Sequence, residues 1–101
     1  MKTKEFFLER MTIEEFGEKH NLTMEIHERS SEDSPTRFYA HFTHSDLSDG
    51  HFLVGTYGNG HTPQEAVRNY AKEISGKLLV IDAWGKENRR EIVVPVLTGA
   101  K

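Results

Sequence analysis

The stretch Tyr57-Gly58-Asn59-Gly60-His61-Thr62-Pro63-Gln64-Glu65-Ala66 constrains the fold of this chain more than any other. It reads as a strand end, a tight change of direction and the opening of a helix. Thr62 stands where an N-cap belongs, and Pro63 takes the first helical position, where its missing amide is not needed. Glu65 completes a capping box by reaching back to the Thr62 amide. Gly58 and Gly60 supply either positive φ or close backbone approach, which glycine gives without steric cost. A strand fed into a helix by so short a connection calls for a sheet with that helix packed on it.

The helix begun at Pro63 is expected over residues 63–75, with Ala66, Val67, Tyr70, Ala71 and Ile74 on one stripe and Gly76 ending it. Upstream, Thr12 and Glu15 form another capping box, and Ile13, Phe16, Gly17 and His20 share a face. They predict a first helix over residues 13–20, closed by Asn21 in the left-handed conformation. Period-two alternation marks strands. Leu22, Met24 and Ile26 alternate with Thr23, Glu25 and His27, and Phe38, Ala40 and Phe42 with Arg37, Tyr39, His41 and Thr43. Residues 51–57 read as a third strand, with Ser45-Asp46-Leu47-Ser48-Asp49-Gly50 as the hairpin connection before it. Arg29-Ser30-Ser31-Glu32-Asp33-Ser34-Pro35 is a polar loop. The apolar run Leu78-Leu79-Val80-Ile81 suits a strand covered on both faces, and residues 91–97 return as a last strand whose Pro95 marks an edge or an end. The fold class is α+β: an antiparallel sheet with helices packed on one face, in the order α-β-β-β-α-β-β. It forms a single domain over residues 12–98. Residues 1–11 form a leader or extension whose Phe6, Phe7 and Leu8 can dock on the sheet or on another subunit.

Composition narrows the function classes. At 101 residues the chain has room for one modest core. No run approaches the roughly 18 apolar residues that span a bilayer, and the first residues lack a signal-peptide core, so a cytoplasmic protein is expected. Zero cysteines remove disulfides, thiolate metal sites and cysteine nucleophiles together. A net charge of −3 biases against nucleic-acid binding, which uses a concentrated basic face.

From Phe38 to Ile81 the sequence resembles the HicB-like antitoxin domain. The residues that carry the resemblance are Phe38-Tyr39-Ala40-His41-Phe42, then Phe52-Leu53-Val54-Gly55, then Gly60-His61-Thr62-Pro63-Gln64-Glu65-Ala66. From Met11 onward, with Ile74-Ser75-Gly76-Lys77 and Glu91-Ile92-Val93-Val94-Pro95, the chain is also similar to small proteins of phages and prophages. The resemblance implies the domain fold. HicB antitoxins usually carry a separate DNA-binding segment after this domain; none is expected after Leu97, and antitoxin activity is not carried over with the fold. The α-β-β-β-α opening is similar to the double-stranded RNA-binding domain as well. That family's lysine-rich start of the second helix is replaced here by Thr62-Pro63-Gln64-Glu65, so RNA binding in that mode is not expected.

Catalytic chemistry finds no foothold. Ser30, Ser31, Ser34, Ser45 and Ser48 fall in loops, and no serine lies in a Gly-x-Ser-x-Gly elbow. Six histidines invite a metal proposal, but no His-Glu-x-x-His or comparable spacing occurs, so no metal and no cofactor are expected. His41 and His44 fall on opposite faces of an extended segment. His27 and His41 could be cross-strand neighbours, and either could meet Glu25 or Asp82. The Gly58-Asn59-Gly60 turn, with His61 and Thr62, could hold an anion at the helix N-terminus, although a plain strand-to-helix connection explains it as well. Arg37, Tyr39 and His41 project together, with Glu25, His27 and Arg29 alongside, a composition suited to stacking bases or holding phosphates. Trp84, Arg89 and Arg90 form a second such group. The expected function is a non-enzymatic binding protein of phage type, an oligomer of identical chains, that blocks a host defence factor or sequesters a small nucleotide. The alternative is a HicB-like antitoxin that caps a small RNA-cleaving toxin.

Overall fold

The computed structural model describes residues 11–29 and 35–98. The leader, with Phe6, Phe7 and Leu8, and most of the polar loop before Pro35 lie outside the described residues. Chain order is β1 (Met11–Thr12), α1 (Ile13–Lys19), β2 (Met24–Glu28), β3 (Phe38–Phe42), β4 (Ser45–Asp49), β5 (Phe52–Val54) and β6 (Gly58–Gly60). Then follow α2 (Pro63–Ile74), β7 (Leu78–Ile81), β8 (Arg90–Val93) and β9 (Leu97–Thr98). The protein is a small α+β fold with two helices and antiparallel sheets among the described residues. No helix among them is long and apolar enough to cross a membrane.

Both helices begin as their caps dictate. The Thr12 hydroxyl accepts from the Glu15 amide at 3.1 Å while the Glu15 carboxylate accepts from the Thr12 amide at 2.9 Å. At α2 the Thr62 hydroxyl accepts from the Glu65 amide at 3.1 Å, but the Glu65 carboxylate reaches one residue further back, to the His61 amide at 2.8 Å. Asn21 and Gly76 take the left-handed conformation, with φ of 56° and 75°. Gly58 and Gly60 do not, so close approach is their reason for being glycine. A Cβ on Gly60 would lie 2.6 Å from the Ala66 nitrogen, and one on Gly58 would lie 2.6 Å from the Tyr70 Cα. The backbone of α2 therefore rests directly on β6.

Ser45–Asp49 was expected as a connection and is instead a strand, paired to β5 on one side and β7 on the other. Its polar sequence hides this, because only Leu47 points into the core. The turn lies beyond it, where Gly50 has φ of 66°. The expected third strand over residues 51–57 shortens to β5, and Gly58-Asn59-Gly60, expected as a turn, is instead the strand β6, paired to β3 after a gap at residues 55–57. The hairpin thus runs from β3–β6 pairing into β4–β5 pairing across a break, in which residues 41–46 oppose residues 55–57. That break divides the expected single sheet into β2-β3-β6 and β5-β4-β7-β8. The last strand also divides: β8 ends before Val94, and β9 pairs parallel with β1.

The core lies between the helices and the sheets. The predicted stripe of Ala66, Val67, Tyr70, Ala71 and Ile74 is buried, as are Ile13, Phe16, Ala40, Phe42, Leu79 and Ile81. Phe42 sits between Phe16, with ring centroids 6.1 Å apart, and Tyr70, met edge-on at 5.6 Å. The Ser45 hydroxyl donates to the Phe42 carbonyl at 2.6 Å and so accepts from the Tyr70 hydroxyl at 3.1 Å, which satisfies a buried phenol.

Candidate functional site

Antiparallel register decides what the outer face of β2 and β3 presents. Glu25 pairs with His41 and His27 with Tyr39, and cross-strand partners share a face. Their rings interleave. Tyr39 stacks on His27 with centroids 4.7 Å apart and planes 19° from parallel, and His27 stacks on His41 at 5.4 Å and 15°. The Arg29 guanidinium lies 4.3 Å above the Tyr39 ring, held by the Asn59 side-chain oxygen at 2.9 Å and by the Thr36 carbonyl. Tyr57 tilts against Tyr39 at 5.5 Å. The result is a row of planar groups drawn alternately from two strands, with His41 at one end.

His41 also lines a cleft of about 380 Å³ with His44, Ser45, Asp46, Asp82, Ala83, Trp84 and Gly85. Two loops make it: the break between β3 and β4, and the segment after β7. Both loops turn on left-handed residues, His44 with φ of 56° and Asp82 with φ of 52°. His and Asp are among the few non-glycine types that take this conformation readily. The Asp82 amide donates to the His44 carbonyl at 3.0 Å, and the His44 ring lies 3.4 Å from the Asp82 carboxylate. Trp84 stands on the lip, 90% exposed. The cleft walls thus combine aromatic surface with the carboxylates of Asp46 and Asp82.

The Glu25 carboxylate meets His27 Nε2 at 3.0 Å. A hydrogen bond from Thr43, then the one from His27, holds its pKa below the ordinary carboxylate range, so it is ionised at neutral pH. His41 Nδ1 lies 2.9 Å from the Phe42 carbonyl. A carbonyl only accepts, so this nitrogen carries the proton and Nε2 keeps its lone pair in the neutral ring. Glu25, His27 and His41 together place three metal-capable atoms within 4.8 Å of one another.

Of the residues singled out from sequence, Tyr39 and His41 meet as expected. Arg37 leaves them and pairs with Glu28, its guanidinium 5.2 Å from the Phe38 ring, while Arg29 fills the cationic place. Trp84, Arg89 and Arg90 do not form one group. Trp84 borders the His41 cleft, and Arg89 donates to the Ala83 carbonyl at 3.2 Å and pairs with Glu91 at 2.8 Å. Arg90 donates to the His20 carbonyl at 2.7 Å, at the C-terminal end of α1. Around Gly60, His61 and Thr62, the amides of His61 and Glu65 are taken by the Glu65 carboxylate and the Thr62 hydroxyl. The chain's own acid occupies the turn. A larger groove of about 640 Å³ runs beside Lys19, His20, Arg90 and Val93, but its Arg90 is spent on capping α1. His44, Ser45 and Asp46 were not expected at a site. Their only sequence signal is a pair of residue types that accept left-handed backbone, at positions 44 and 82. Comparisons with protein families, with curated proteins and with solved structures return no match to this chain.

Proposed function

We propose that this is a non-enzymatic binding protein that takes a small planar ligand of the nucleotide class into the cleft between His41 and Trp84. The observation that carries the reading is Trp84, an indole 90% exposed on the lip of a cleft that His41 also lines. Stacking a base on such an aromatic surface contributes about 1–3 kcal/mol. Asp46 and Asp82 accept the N–H edge of a base, and Arg89, anchored on Ala83, brings a guanidinium to the same loop. Sequestering a signalling nucleotide, and through it blocking a host defence factor, extends the same proposal. That extension is supported by the resemblance to small phage proteins.

Trp84 is the sole tryptophan, so its emission reports on the cleft alone. Titrating mono-, di- and cyclic nucleotides should change that emission for at least one of them, and calorimetric titration of the variants, which lack the reporter, should find Trp84→Phe retaining and Trp84→Ala losing the binding. If no nucleotide perturbs Trp84 and none raises the melting temperature, the reading fails.

A further inference from the structure

We infer that Glu25, His27 and His41 form a binding site for one divalent transition ion of the zinc type. The register of β2 and β3 builds it: Glu25 stands opposite His41, and His27 follows one pleat along on the same face. The ligand-capable atoms lie within 4.8 Å of one another in three half-buried residues, close enough for small side-chain rotations to bring them onto one ion. Two atoms bound at about 2.1 Å to one ion sit about 3.0 Å apart across a right angle and about 3.4 Å apart at the tetrahedral angle. The Glu25 oxygen and His27 Nε2 are already 3.0 Å apart.

The surroundings fit the role. His41 Nδ1 donates to the Phe42 carbonyl at 2.9 Å, the outer contact that orients a ligating imidazole and leaves Nε2 for a metal. When His27 Nε2 takes the ion, the proton it now shares with Glu25 moves to Nδ1, so the neutral ring binds without net loss of a proton. Two imidazoles and one carboxylate select zinc, cobalt, nickel or copper over magnesium and calcium, which want oxygen. The chain has no cysteine to draw the ion elsewhere. Three protein ligands leave the remaining positions to water or to an exogenous group. The site stands whether or not the cleft takes a nucleotide, although His41 belongs to both.

The test is calorimetric titration of chelator-treated, tag-free protein with Zn²⁺, beside visible spectroscopy of the Co²⁺-loaded protein. One ion should bind per chain, with ligand-field bands from Co²⁺. Glu25→Gln, His27→Gln and His41→Gln should each weaken binding about tenfold or more. These side chains are not in the core, so circular dichroism should show all three variants folded, and any one that is not is replaced by the other two. His51→Gln, in the β4–β5 turn, should bind as the parent does, and Trp84→Ala should keep the metal while losing the cleft ligand. No saturable zinc binding, or binding unchanged in all three substitutions, overturns the inference.

Discussion

At the scale of single residues, the same small side chain can be indispensable for one reason and idle for another. Gly58 has no unusual torsion, yet a methyl group there would press into the backbone of α2 at Tyr70 and Ala66. Backbone cannot swing aside as a side-chain tip can. Gly58→Ala should therefore cost about 3 kcal/mol or more in urea unfolding, at the top of the overpacking range. Gly50, with φ of 66° and open space around it, should lose only the modest penalty of a left-handed alanine. A smaller loss at Gly58 than at Gly50 would mean that α2 does not rest on β6. His61→Glu carries the parallel question for the turn. With the Glu65 carboxylate already on the His61 amide, the added acid should leave ligand affinity unchanged, and a collapse of affinity in a folded variant would make this turn a site.

Elements differ in how openly they are written. The cap of α2 is a local device, and Thr62→Ala should lower stability by about 1 kcal/mol without changing what the cleft binds. β4 is the opposite case. Its Ser-Asp-Leu-Ser-Asp sequence has the composition of a loop, but it lies inside the sheet between β5 and β7. Amide exchange should find β4 among the slower segments, and exchange as fast as that of the Gly50 turn would contradict the pairing. The Gly60–Ala66 helix start, one of the three segments that carry the HicB-like resemblance, is also an element-level device. It seats a helix on a strand, and seating a helix specifies no ligand.

For the whole molecule, two properties depend on how distant pieces meet. Burial, helped by the positive charges of Lys19 and Arg90, holds His20 below the ordinary imidazole range. The unfolded chain then takes up this proton first as pH falls. Stability should hold above about pH 6.5 and decline below it, and His20→Gln should flatten that decline in thermal scans. The second property is assembly. β5 and β8 form the two edges of their sheet, and Phe52 and Val93 stand 73% and 76% exposed on them. Edges of this kind invite pairing with a second copy. Light scattering should return a multiple of the 11.6 kDa chain mass, reduced to one chain by Phe52→Lys or Val93→Lys. A monomer at all concentrations would overturn the expected oligomer of identical chains.

The sequence by itself determined both helices, their ends and their buried stripes. Capping and the 3.6-residue period act between positions three or four apart, so the information lies within one segment. It also determined the buried faces of β3 and β7, through strong alternation and a continuous apolar run, whereas the alternation of β2 did not bury Ile26, which stands 46% exposed. Only the tertiary structure decided that β4 is a strand, that the sheet breaks at residues 43–44 and 55–57, and that Arg37 turns to Glu28 while Arg29 joins Tyr39. It decided which of the pairings open to Glu25, His27 and His41 form, and it alone brought His41 to Trp84. Those meetings depend on register between segments far apart in the chain. A shift of β2 by one residue against β3 would send Glu25 and His27 to the other face.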